Sequence, residues 1–121
     1  MNIVSSEFSK MAWNYFLIAK KIAHKNFHQN IDSEHIFLSI IQNNKSFKKI
    51  LSQNKLNVKA VEEIVLKKLV NKGKMKNKQD TLFIGDTLHK VFIKANDFKI
   101  NSREVVISTN HIIEGLIYDK S

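Results

Sequence analysis

The chain has 121 residues, 43% of them hydrophobic, and a net charge of +9. That suffices for one domain, or two small halves sharing a core, and with no cysteine it excludes disulfide staples and cysteine-based zinc sites. No run approaches the roughly 20 apolar residues of a membrane-spanning helix, and "MNIVSSEF" lacks the charged-then-apolar pattern of a secretory leader.

The absence of proline, with only 3 glycines, predicts an all-α chain of helices with short joins. Phe8, Ala12, Tyr15, Phe16, Ala19, Ile22 and Ala23 recur at helical spacing and predict a helix from about Ser9 to Asn26. Ser9 is its N-cap, with Phe8 and Trp13 placed as a hydrophobic staple. A second helix starts near Ser33 and carries Ile36, Phe37, Ile40 and Ile41. Two more follow, over "SFKKILSQN" and over "NVKAVEEIVLKKLV", the latter capped by Asn57. "NKGKMKNKQD" then alternates Lys72, Lys74, Lys76 and Lys78 with small or polar residues and reads as a solvated linker, about 71–81. Beyond it Ile84, Leu88, Val91, Phe92, Ala95 and Phe98 repeat the face of the first helix.

The repetition is in register. A shift of 76 residues, the separation of His35 and His111, aligns Phe8–Lys45 with Ile84–Ser121 without a gap. Phe16 falls on Phe92, Ala19 on Ala95, Ile31 on Ile107, Ile36 on Ile112 and Ile41 on Ile117. The identities lie mainly where a core is expected, as an internal duplication leaves them. "IDSEHIFLSII" and "ISTNHIIEGLI" are then one helix start written twice, with Asp32 and Ser108 as N-caps and the pairs Ile31–Ile36 and Ile107–Ile112 as staples.

Little in this chain points to catalysis. Glu34-His35 lacks the second histidine of a zinc protease, since position 39 is serine. His24 and His28 have i, i+4 spacing and could share a metal, but no third ligand stands with them, and histidine near a helix end also suits the dipole. Gly73-Lys74 has neither the upstream glycine nor the Ser or Thr of a nucleotide loop. His35 and His111, in the first turns of their helices beside the core face, read as packing residues. The basic excess raises nucleic acid as a partner, yet Arg103 is the lone arginine among the 20 basic residues. Bidentate reading of bases and phosphates favours arginine. A lysine- and asparagine-rich surface fits the codon bias of an AT-rich genome. Two helical repeats about a pseudo-twofold axis leave a groove where they meet, and such a groove suits an extended peptide.

"FSKMAWNYFLIAKKIAHKNFHQNIDSEHIFLSII" followed by "LFIGDTLHKVFIKANDFKINSREVVISTNHIIEGLI" resembles the Clp N-terminal domain, the double repeat at the front of Clp ATPases. "AW" after the first cap, "LFIGDTL" and the "IS" ahead of the last helix are similar to the ClpB-type disaggregase, particularly its cyanobacterial and plastid branch. The resemblance covers about Phe8 to Asp119 and implies one domain of two tandem four-helix repeats, about 8–70 and 82–119, the second without its last two helices. It implies capture of unfolded or aggregated polypeptide for threading by the ATPase rings of a hexameric parent, which works with a DnaK-type chaperone system. ATP and magnesium would belong to those rings; the domain itself would be a monomer without cofactor or metal. Bacterial cytoplasm and a plastid-type stroma both fit.

The family's polar contact positions, carried over one at a time, match Ser9, Glu104 and Asn110, the last a loss of charge. Its apolar groove positions fall on Lys94, Phe98 and His111, of which Phe98 alone stays apolar. Docking of an adaptor protein, as in ClpC-type chaperones, is the alternative role. Nucleic-acid binding through Lys67–Lys78 is the remaining one.

Overall fold

The computed structural model describes residues 3–118. Six α-helices hold almost all its regular structure: α1 (Lys10–Lys25), α2 (Ser33–Asn43), α3 (Lys45–Gln53), α4 (Val58–Val70), α5 (Asp86–Asn101) and α6 (Thr109–Tyr118). A 3-10 turn, Ser5–Glu7, precedes α1. Two short strands, β1 (Asn30–Ile31) and β2 (Phe83–Ile84), pair in parallel with Ile31 opposite Ile84. These strands depart from an expectation of helices alone. At two residues each they are too short to carry the alternation by which a strand is read from sequence.

Helix starts follow from their caps. The Ser9, Asn44 and Asn57 side chains accept from the amides of Ala12, Phe47 and Ala60 at 3.2, 2.9 and 3.1 Å. Each satisfies one of the orphan donors of a first turn. The Phe8–Trp13 staple is present, with ring centroids 5.7 Å apart. Just beyond the ends of α1, α3 and α5, Phe27, Lys55 and Arg103 lie in the left-handed region, at φ 63°, 62° and 58°. Glycine is the usual residue at such a position.

Phe27 and Arg103 are 76 residues apart, and the duplication extends to the backbone bonds. Ser9 N–H donates to the Ile107 carbonyl at 2.9 Å, and Gly85 N–H donates to the Ile31 carbonyl at 2.9 Å. Each repeat thus fastens the entry to its first helix onto the segment before the other repeat's second helix. Phe16 and its equivalent Phe92 touch, centroids 6.1 Å apart, so the pseudo-twofold axis passes between them. Phe8 adds an edge-on contact to Phe92 at 5.3 Å. The single core is built from Tyr15, Phe16, Ala19, Ile36, Ile40, Leu88, Phe92 and Ile112, which are all buried.

The repeats differ where α3 and α4 pack. α4 buries Val65 and Leu69, and on α2 Ile41 is 0% exposed. Among the described residues no helix follows α6, and Ile117, equivalent to Ile41, is 67% exposed.

Candidate functional site

Three helices begin at one place. A groove of about 660 Å³ is lined by the N-cap and first two residues of α1 (Ser9, Lys10, Met11), of α3 (Asn44, Lys45, Ser46) and of α6 (Ser108, Thr109, Asn110). Tyr15 and Asn43 complete its lining. The caps satisfy donors further into each helix, and the first amides of each helix have no partner within it. The positive ends of three helix dipoles converge here, and Lys10 and Lys45 add full charges with no carboxylate among the lining residues. The groove is therefore suited to acceptors, either backbone carbonyls of an extended chain or carboxylates.

Two histidines fix helix starts, one in each repeat. His35 is the third residue of α2, and its Nδ1 accepts the Asp32 amide at 2.8 Å. His111 does the same on α6, its Nδ1 accepting the Ser108 amide at 2.9 Å. Each imidazole thus plays the part of the Glu or Gln in a capping box. With Nδ1 accepting, the neutral ring carries its proton on Nε2. In His35 that Nε2 faces His28 Nδ1 at 2.9 Å; in His111 it faces Glu104 Oε2 at 2.7 Å. His28 and Glu104 are themselves 76 residues apart. The duplication preserved the place of the partner and changed its chemistry.

The His28–His35 pair is buried, at 3% and 0% exposure. Burial, then the neighbouring His28, push the His35 pKa down to about 4. Burial likewise lowers that of His28, aided by Lys72 and Lys74. Lys72 Nζ lies 3.0 Å from Asp32 and 3.3 Å from Glu34. Partial burial opposes its charge, but those two carboxylates outweigh burial and raise its pKa. The sequence reading of Lys72 as one of four solvated linker lysines is corrected here: it ties the segment after α4 to the first turn of α2. His28 lies beyond the end of α1 and pairs with His35 rather than with His24. Among the described residues no cluster of three or more His, Cys, Asp or Glu is arranged to hold a metal ion.

The six residues singled out from sequence separate into three places. Ser9 and Asn110 both line the groove. Glu104 and His111 bond to each other, and His111, at 3% exposure with both ring nitrogens engaged, holds the amide of the lining residue Ser108. His111 is not among the residues that line the groove. Lys94 and Phe98 sit at the far end of α6, where the Lys94 ammonium lies 4.5 Å from the Tyr118 ring and Phe98 stands edge-on to it at 6.1 Å. Asn110 and Tyr118 are separated by about 12 Å along the helix axis, so these two residues do not line the groove. The helix over "SFKKILSQN" is present as α3, but its start was not among the residues singled out for the site, although Asn44 carries a cap signal there.

Ser102 Oγ lies 3.1 Å from His111 Nε2, with Glu104 beside both. This is not a nucleophile triad. The base must accept the serine proton on the nitrogen opposite its acid partner, whereas here one protonated Nε2 serves both Ser102 and Glu104.

The comparison with known families accords with this architecture. The chain matches the Clp repeat (R) N-terminal domain over residues 7–121. It belongs to the Clp N-terminal domain family. This Clp N-terminal domain is 28% identical over 120 residues to the chaperone protein ClpB of Prochlorococcus marinus, an alignment spanning 99% of the chain and 14% of that relative. It is 24% identical over 119 residues to the chloroplastic ClpB2 of Oryza sativa subsp. japonica, spanning 98% of the chain and 12% of that protein. Its fold matches the crystal structure of the Hsp104 N-terminal domain from Candida albicans with a TM-score of 0.86 at 19% identity, covering 94% of this chain and 75% of that one. The family is the N-terminal repeat domain of Clp proteins, not their ATPase domain. No helix among the described residues is long and apolar enough to cross a membrane.

Proposed function

We propose that this Clp N-terminal domain is the substrate-capturing front of a ClpB-type disaggregase, and that it holds unfolded polypeptide in the groove between the starts of α1, α3 and α6. The observation that carries this reading is the convergence of three helix N-termini with Lys10 and Lys45 in a groove free of carboxylates. Amides presented by helix ends recognise a backbone without demanding a side-chain sequence, which suits a domain that meets many substrates. ClpB relatives matched along almost the whole chain support the parent's identity. Threading, ATP hydrolysis with magnesium, hexamer formation and cooperation with a DnaK-type system would be properties of that longer parent. A bacterial cytoplasm or a plastid stroma is the compartment in keeping with those relatives. Ser9 and Asn110 are the contact residues, Glu104 and His111 position them, and Lys94 and Phe98 form a separate secondary contact.

The test is a titration with a permanently unfolded protein, followed residue by residue by NMR. Shifts should cluster at Ser9, Lys45, Thr109 and Asn110, and a K10E/K45E variant should bind several-fold more weakly at low salt, in line with the modest strength of exposed charge interactions. Shifts absent from all three helix starts would sink the proposal. Binding of a folded adaptor but not of unfolded chains would move the domain to the ClpC-type role.

A further inference from the structure

A second cleft is centred roughly 12 Å along α1 from the groove, between that helix and the loop before β2. It has a volume of about 410 Å³. Leu17, Ile18 and Leu82 form its aliphatic floor, and Lys20, Lys21 and His24 its wall. The loop is held in place: Met75 N–H donates to the Phe27 carbonyl at 2.7 Å, and the Lys78 ammonium lies 5.7 Å from the Phe27 ring centre. This brings Lys74, Lys76 and Lys78 to the same end of α1 as Lys25. The carboxylate at the cleft is Asp80, and among the described residues none of these lysines is within 4.0 Å of an acidic side chain. A helix dipole accounts for His24 and Lys25 in the last turn of α1. It does not account for Lys20, Lys21 or the loop lysines.

We propose that this cleft binds an acidic segment of a partner protein that also carries aliphatic side chains. Carboxylates would face Lys20 and Lys21, while leucine- or isoleucine-like side chains cover Leu17, which is 39% exposed, and Leu82. A polypeptide fits better than nucleic acid. The floor is aliphatic rather than aromatic, the nearby Phe27 ring is covered by an ammonium group, and the wall has no arginine. The site is independent of the groove, and its acidic partner would leave the groove free.

The experiment measures fluorescence anisotropy of a short labelled peptide rich in Glu and Leu against the whole chain. Three other probes are run beside it: the same peptide with Gln for Glu, one with Ser for Leu, and a single-stranded oligonucleotide. The expected result is binding to the Glu/Leu peptide that drops by roughly tenfold in a K20E/K21E variant, as summed losses of exposed ion pairs predict. Binding should also fall with L17N, and fall less with K45E than with K20E/K21E, because Lys45 lies in the other groove. Equal binding of the oligonucleotide, no loss with the Ser-for-Leu peptide or with L17N, or a loss with K45E matching that of K20E/K21E would each overturn the proposal. All the substituted side chains are exposed, so circular dichroism should report an unchanged fold.

Discussion

At the scale of single residues, the histidines show how one helix start was put to two uses. His35 and His111 share a capping role, but His35 is backed by a second imidazole and His111 by a carboxylate. His35 is therefore kept neutral, with a pKa of about 4 in the folded chain. Between the ordinary histidine value of 6.5 and about 4, the unfolded chain binds a proton that the folded chain does not. Stability should be intact above pH 6.5 and fall as the pH drops through that window, by up to about 3 kcal/mol. His28, shifted in the same direction, adds to the loss. The charged groups facing the pair are Asp32, Glu34, Lys72 and Lys74. An H35Q variant keeps an acceptor at the third helical position while removing one titration, so its urea-unfolding free energy should vary less between pH 7 and pH 4. A profile as steep as that of the unsubstituted chain would refute the assignment.

At the scale of helices, the crossing of each pair is set by one small residue. On α2, Ser39 is buried and its hydroxyl donates to the Tyr15 carbonyl at 2.8 Å. Its equivalent on α6 is Gly115, where an added Cβ would stand 2.7 Å from the Val91 carbonyl and 3.3 Å from its side chain. Val91 is in turn the equivalent of Tyr15, so both repeats cross at the same contact, more closely in the second. Because the obstacle is helix backbone, G115A should force α5 and α6 apart and destabilise by about 1–3 kcal/mol, read as a lowered thermal midpoint. An unchanged midpoint would show that the crossing has slack. Such contacts also mark what could be read from sequence. The helices, the Ser9 and Asn57 caps and the Phe8–Trp13 staple were legible because they depend on neighbours a few residues away. The groove's third wall, the β1–β2 pair and the Lys72 clamp were not, because they join residues far apart in the chain, such as Ser9 with Asn44 and Asp32 with Lys72. Of the six residues taken from the resemblance, Ser9 and Asn110 line one groove because each stands at a helix start. Lys94 and Phe98 fall elsewhere, since spacing along a helix does not say which end a groove occupies.

At the scale of the whole molecule, a duplicated chain has become asymmetric. The exchange of backbone bonds around Ser9 and Gly85 and the contact of Phe16 with Phe92 make the central halves of the repeats near copies. The outer halves are not. α3 and α4 cover α2, while α6 turns Ile113 and Leu116, both half-buried, toward the core edge and leaves Ile117 and Tyr118 open. The basic groove opens at the start of α3, so the added helices of the first repeat supply a wall of the proposed capture site as well as a cover for its core. The same covalent change at two equivalent positions measures this asymmetry directly. Ile41 is 0% exposed and loses well-packed neighbours on truncation, so I41A should cost about 2–5 kcal/mol. Ile117 is 67% exposed, and I117A should stay within about 0.5 kcal/mol. Parallel chemical denaturation of the two variants is the measurement. Equal losses would mean that the face of α6 is buried in solution, for instance against a second copy, and the loss at I117A would then grow with protein concentration.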